Sequence, residues 1–252
     1  MNKKKDVSPV VPQRNKFKET LTIQPFEWTE KQKQFISLVT NKNTKIVFLN
    51  GPAGTSKTYL SVYLGLVFLA EKRVSDLIYI RTVIESASKG LGYLPGESED
   101  KFAPFMMPLE DKLHELLNGG DVQKLKNDNR VQAIPINYLR GANLNAKFIL
   151  ADESQNFDFK ELTTLITRFG RFSKMIVCGD TRQSDINGKS GFKDMYNLFN
   201  DEESRNNGIH CFEFTKEDVV RSEEVKFILG KLDQHNELLL KSKHSTSTEK
   251  IQ

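Results

Sequence analysis

Short apolar runs without polar alternation recur along this chain, and stretches with helical spacing separate them. From Trp28 the segment W-T-E-K-Q-K-Q-F-I-S-L-V-T sets Phe35, Ile36, Leu38 and Val39 on one helical face, with Thr29 placed to cap its start. K-I-V-F-L-N then runs from Lys45 with no alternation, as a strand buried on both faces requires. Similar runs begin at Leu77 (L-I-Y-I-R), Phe148 (F-I-L-A-D) and Lys174 (K-M-I-V-C-G-D), with two less regular ones at Val131 (V-Q-A-I-P) and Ile209 (I-H-C-F-E-F). Helical patterns occupy 57–72, 108–117, 159–169 and 192–199. Strands alternating with helices predict a single α/β domain, its sheet doubly wound and mainly parallel with helices on both faces. Ligands of such sheets bind at the carboxyl ends of the strands. Residues 1–24 mix Pro, Lys and Asn without periodicity and are expected to form a disordered arm. The domain is expected over 25–240, and the Ser/Thr/Lys-rich stretch 241–252 is expected to be a disordered tail.

Composition narrows the class. Of 252 residues, 38% are hydrophobic and 28% charged, as in a soluble globular protein. No run approaches the ~20 apolar residues of a membrane span. No apolar stretch follows the lysines at positions 3–5, so no signal peptide is read there. Two cysteines and four histidines offer neither a disulfide framework nor metal-ligand spacing. Cys178 and Cys211 sit in strand-like runs, where buried reduced thiols are expected, and a cytoplasmic location follows. The net charge of +4 belongs to the ends. Residues 1–24 hold six basic and two acidic residues, and 241–252 hold three and one, leaving −2 for the body. Basic ends of this kind either contact nucleic acid or keep a protein soluble.

The chemistry begins where the first buried strand ends. After Asn50 comes G-P-A-G-T-S-K-T, which matches G-x-x-x-x-G-K-[ST] except that Ser56 replaces the second glycine. Gly51, Pro52, Ala53, Gly54, Thr55 and Ser56 would let backbone N–H groups curl around phosphates, with the following helix dipole aimed at the same charge. Lys57 would reach the β- and γ-phosphates and Thr58 would ligate magnesium, which makes ATP and Mg2+ the expected ligands. The Ser56 hydroxyl is placed to cap a free N–H, while its Cβ crowds the space that glycine leaves open. A second strand, F-I-L-A, ends in Asp152, the expected magnesium carboxylate, and Glu153, the expected general base for the attacking water. A third ends in G-D-T-R-Q, where the Gln183 amide can hydrogen-bond the γ-phosphate or the water. Each motif has a plainer counterpart: a turn that binds nothing, a solvated strand end, a polar loop.

Together these motifs resemble the PhoH-like family of ATPases, relatives of the first RecA-like domain of superfamily 1 helicases. The resemblance rests on G-P-A-G-T-S-K-T, L-G-Y-L-P-G (91–96), Y-L-R-G (138–141), L-A-D-E-S-Q-N (150–156), T-R-F-G (167–170), C-G-D-T-R-Q-S-D (178–185) and E-D-V-V-R-S (217–222), in family order. Ser56 departs from the family glycine. The chain is similar to the stand-alone PhoH-like proteins of bacteria and their large phages, a family linked by name to phosphate starvation. The resemblance implies that Gln32 reads adenine, the alternative being an exposed helix glutamine. It makes Arg168 and Arg221 candidates for an arginine finger, with Arg140 a further one, the alternative being surface arginines paired with Glu161 or Asp218. One RecA-like domain also implies a ring-shaped homo-oligomer in which a neighbour completes the site. The expected function is ATP hydrolysis coupled to RNA or single-stranded DNA, as a helicase-like motor or switch. The alternatives are a regulatory ATP-binding protein that controls a protein partner and a nucleotide kinase. D-E with G-D-T-R-Q suits attack by water and disfavours the kinase.

Overall fold

The computed structural model describes residues 20–24, 26–82, 98–139, 143–183, 189–220, 224–225, 227–228 and 230–231, with backbone alone at 98–105. Arg140, Arg221, the L-P-G loop and the segments 1–19 and 232–252 lie outside the described residues. Six strands form one sheet in which every pairing is parallel, in the order β3-β2-β4-β5-β1-β6. They are β1 (Ile46–Asn50), β2 (Asp76–Arg81), β3 (Val131–Pro135), β4 (Lys147–Ala151), β5 (Lys174–Gly179) and β6 (Ile209–Glu213). Both less regular runs are therefore strands, at the two edges of the sheet.

The unalternating strands are apolar because both of their faces are covered. Val47 and Leu49 of β1, Leu77 and Tyr79 of β2, Phe148 and Leu150 of β4, and Ile176 and Cys178 of β5 join one core. Their neighbours in sequence, Phe48, Ile78, Ile149 and Val177 among them, join a second core on the other face. Helices α1 (Glu30–Thr40), α2 (Lys57–Ala70), α3 (Ser98–Leu116) and α4 (Gly119–Asn127) supply the first core through Phe35, Leu60, Leu109 and Val122. Helices α5 (Phe159–Thr167) and α6 (Phe192–Leu198) supply the second through Leu162, Leu165 and Phe192. A short α7 (Glu202–Asn206) leads into β6. Gly65 lets α2 lie close to the sheet, since a Cβ there would stand 2.8 Å from Leu77 Cδ1.

Thr29 caps α1 as expected, in a reciprocal box with Gln32. Residues 20–24, assigned by the sequence to the arm, touch the body: Leu21 is buried and Gln24 N donates to Leu116 O at 2.8 Å. Helix α3 starts ten residues before its expected position, and α4 has no sequence counterpart because it opens on Gly119 and Gly120. Both cysteines are free thiols, Cys178 fully buried and Cys211 partly so. No helix among the described residues is long and apolar enough to cross a membrane.

Candidate functional site

The loop after β1 is shaped by close approaches. Gly51 N donates to Gly179 O at 3.1 Å, and a Cβ on Gly51 would meet Phe214 Cβ at 2.9 Å. Asn50 ties the entrance to both neighbouring strands: its Nδ2 donates to Glu213 Oε1 at 2.8 Å, and its Oδ1 accepts from Thr181 N at 3.0 Å. Buried Thr55 closes the turn by donating to Pro52 O at 2.9 Å. Gly54 (φ 87°) and Ser56 (φ 61°) both take left-handed backbone, so the chain curls into a nest before α2 begins. Ser56 makes no side-chain cap, contrary to expectation. An N-cap side chain works from extended backbone, and ψ of 25° with positive φ takes Ser56 out of that region. Lys57 Nζ folds over the loop and donates to Gly51 O at 2.6 Å and Pro52 O at 2.9 Å.

Two strands away, β4 delivers its carboxylates to the same edge. Alternation puts Phe148, Leu150 and then Asp152 on the face covered by α2. Asp152 is buried, and Thr58 Oγ1 donates to its Oδ1 at 2.9 Å. Tyr79 OH donates to Oδ2 at 2.7 Å from the adjacent strand β2, where Tyr79 pairs with Leu150. Burial first, and the Asp152 charge second, push the Tyr79 pKa far up, so the phenol stays a donor. Both Asp152 oxygens are thus aimed. Sequence reasoning missed Tyr79, although a hydroxyl inside L-I-Y-I-R has to find a buried partner.

Glu153 follows in a left-handed conformation (φ 51°) and accepts from Gln155 Nε2 at 2.5 Å. Gln155, 5% exposed, also accepts from Asp180 N at 3.2 Å and so joins the ends of β4 and β5. The buried amide beside Glu153 is therefore Gln155. Gln183, singled out from sequence, is exposed and fixed through its backbone N, which donates to Asp180 O at 3.2 Å.

The remaining candidates scatter. Gln32 is 2% exposed, so it is not the exposed helix glutamine of the plainer alternative. Its Oε1 accepts from Thr29 N at 3.0 Å, beside a cavity of about 450 Å3 between Thr29–Lys31 and 217–220. Val220 N there donates to Gly54 O at 2.9 Å, which joins this cavity to the loop. Arg168 ends α5 and lies at the amino-terminal edge of the sheet, where Leu144 bridges Phe169. Five residues of strand at ~3.3 Å each put it roughly 17 Å from the loop edge of its own chain. Glu161 is not its partner, because that carboxylate closes a capping box with Asp158 at the other end of α5.

The donor set suits a hard cation bound with a polyphosphate. Among the described residues no cluster of three or more His, Cys, Asp or Glu could hold a metal alone. A hydroxyl and a carboxylate 2.9 Å apart are the sparse oxygen ligands that magnesium takes in nucleotide sites, where phosphates and water complete its shell.

The PhoH-like protein family model matches residues 23–233. A PhoH-like protein of Mycobacterium tuberculosis strain H37Rv is 35% identical over 211 residues, 83% of this chain and 58% of that one. A PhoH-like protein of Bacillus subtilis is 32% identical (81% and 63% covered), and protein PhoH of Escherichia coli K12 is 31% identical (77% and 54%). The chain thus spans a little over half the length of these curated relatives. A crystal structure of Pif1 helicase from Candida albicans overlaps 76% of this chain and 41% of its own, with a TM-score of 0.36 at 15% identity.

Proposed function

Because the chain belongs to the PhoH-like protein family, we propose that it binds ATP at the loop 51–58 and hydrolyses it with magnesium, coupling turnover to RNA or single-stranded DNA. The observation that carries this reading is the hydrogen bond from Thr58 to Asp152, which joins the phosphate loop to the carboxylate strand at 2.9 Å. Backbone N–H groups around Gly54 and the start of α2 receive the phosphates. Lys57 leaves the carbonyls of Gly51 and Pro52 to meet the β- and γ-oxygens. Thr58 and Asp152 would hold magnesium, which would supply positive charge against the phosphate oxygens. Glu153, oriented by Gln155, takes the proton of the attacking water. Gln32 and the cavity beside it receive the base, and Gln183 senses the γ-phosphate from the β5 end.

Lys57→Ala should abolish turnover and weaken binding of a fluorescent ATP analogue. Glu153→Gln should keep that affinity while turnover falls by about 10²-fold or more. Wild-type turnover in Lys57→Ala would remove the assignment of the loop.

A further inference from the structure

The edge of the sheet opposite the phosphate loop carries a feature that ATP hydrolysis does not use. A cavity of about 380 Å3 opens at the amino ends of β1 and β5, between the end of α2 and the loop 169–174. Lys42, Lys45, Arg73, Arg171 and Lys174 line it, and none of its lining residues is a carboxylate. Glu71 stands nearby, its Oε2 3.4 Å from Arg73 Nη1.

Part of this charge has a structural use. Lys174, 5% exposed, donates to Asn41 O at 3.0 Å and to Thr44 O; Arg73 donates to Thr40 O at 3.0 Å and lies 3.8 Å over the Phe68 ring. The Thr40 and Asn41 carbonyls lie at the end of α1, whose last turn has no basic residue of its own, and Thr44 O lies in the loop that leads to β1. Lys42, Arg171 and Phe172 do no such work. Lys42 and Arg171 are exposed, and Phe172 is 68% exposed with φ at 60°. Left-handed backbone costs a bulky residue roughly 1–2 kcal/mol, and an exposed phenyl returns nothing for it. Strained residues cluster at binding sites, although Lys72, Asn129 and Ala146 take similar backbone in ordinary turns of this chain, so the exposed ring matters more than the strain. Burial first, and the neighbouring Arg73 charge second, lower the Lys174 pKa to about 8.

We propose that this pocket binds the phosphates of a single-stranded nucleic acid, with Phe172 stacking a base at its rim. The proposal deepens the nucleic-acid part of the proposed function and does not depend on ATP hydrolysis. Sequence-tolerant single-strand sites combine a cationic groove with exposed aromatic rings, and this pocket has both. An acidic peptide would use the cations but not the ring. The site also relocates the expected contact. Whereas the charge count points to the chain ends and gives the body −2, cations within the body are gathered at one edge.

The test is fluorescence anisotropy of a labelled 20-nucleotide oligo-U and its oligo-dT counterpart, without ATP, across a salt series. The double variant Lys42→Ala/Arg171→Ala should bind about tenfold more weakly, with a salt slope flatter by about 1.4, two phosphates' worth for a single strand. Phe172→Ala should lose about tenfold and Phe172→Trp should regain it. All these variants should bind the fluorescent ATP analogue like wild type. Lys57→Ala should bind oligonucleotide normally, so a failed ATPase reading would show separately. Unchanged affinity and slope in the double variant would overturn the proposal. So would capture of poly-glutamate as tight as that of the oligonucleotide and indifferent to Phe172→Ala, which would identify an acidic peptide instead.

Discussion

At the scale of the residue, Ser56 and Tyr79 depart most from what the motifs alone suggest. Ser56 occupies left-handed backbone that glycine enters freely, and its hydroxyl caps nothing. The strain costs roughly 1–2 kcal/mol, against roughly 0.5–1 kcal/mol for the extra freedom that glycine brings to the unfolded chain. Ser56→Gly should therefore melt no lower than wild type and bind the ATP analogue equally well or better; a large loss of affinity would make the serine a specific ligand. Tyr79 acts through Asp152. Partners that orient a metal-binding carboxylate are worth about 10–100-fold in metal affinity. Tyr79→Phe keeps the ring and loses the 2.7 Å bond. It should raise the magnesium needed for half-maximal binding of the ATP analogue about tenfold, while affinity without magnesium stays unchanged. The tight turn at 51–58 and the carboxylate at the end of β4 were legible in the sequence because local order along the chain builds them. Gln155 was not distinguished from Gln183, because which amide turns inward depends on how β4 and β5 end side by side.

At the scale of the element, the sheet's amino-terminal edge is held by a charged cluster that no motif announces. Asp76, 1% exposed at the start of β2, meets Lys147 of β4, lies 3.8 Å from Arg130 Nη1 and accepts from Ser75 Oγ at 2.7 Å. Removing one member of a buried ion group leaves the others uncompensated, at about 3–5 kcal/mol. Asp76→Ala should lower unfolding stability by that amount in a denaturant titration, whereas an exposed pair such as Glu30–Lys33 should cost under about 1 kcal/mol. Strand positions were readable because a doubly covered strand has to be continuously apolar. The extent of α3 was not, because a helix start depends on contacts that spacing does not encode, and α4 hides behind two glycines although Asn118 caps it through Asp121 N at 2.9 Å.

At the scale of the whole molecule, Arg168 raises the question of assembly. Its Nε is buried without a hydrogen-bond partner among the described residues, and it sits at the edge away from its own phosphate loop. If it serves as a finger, it serves a neighbour. Head-to-tail contacts close into rings, and fingers contribute about 10³–10⁵ in rate. Mixing inactive Lys57→Ala with inactive Arg168→Ala should then restore part of the turnover. No recovery in the mixture, or full activity sedimenting as a monomer, would exclude Arg168 from that task.

The strand order also governs how the chain can come together during synthesis. β1, the strand that presents the phosphate loop, pairs only with β5 and β6, whose residues begin at Lys174 and Ile209. A nascent chain that has reached β4 can join β2, β3 and β4, yet its first strand still has no neighbour on either side. The earliest strand of this sheet is thus among the last of its strands to be secured. Such long-range closure slows folding and leaves an apolar strand exposed while translation continues. Until β5 is made, the loop has no fixed strand to stand on, and the turn at 51–58 lacks the Gly179 carbonyl that anchors it.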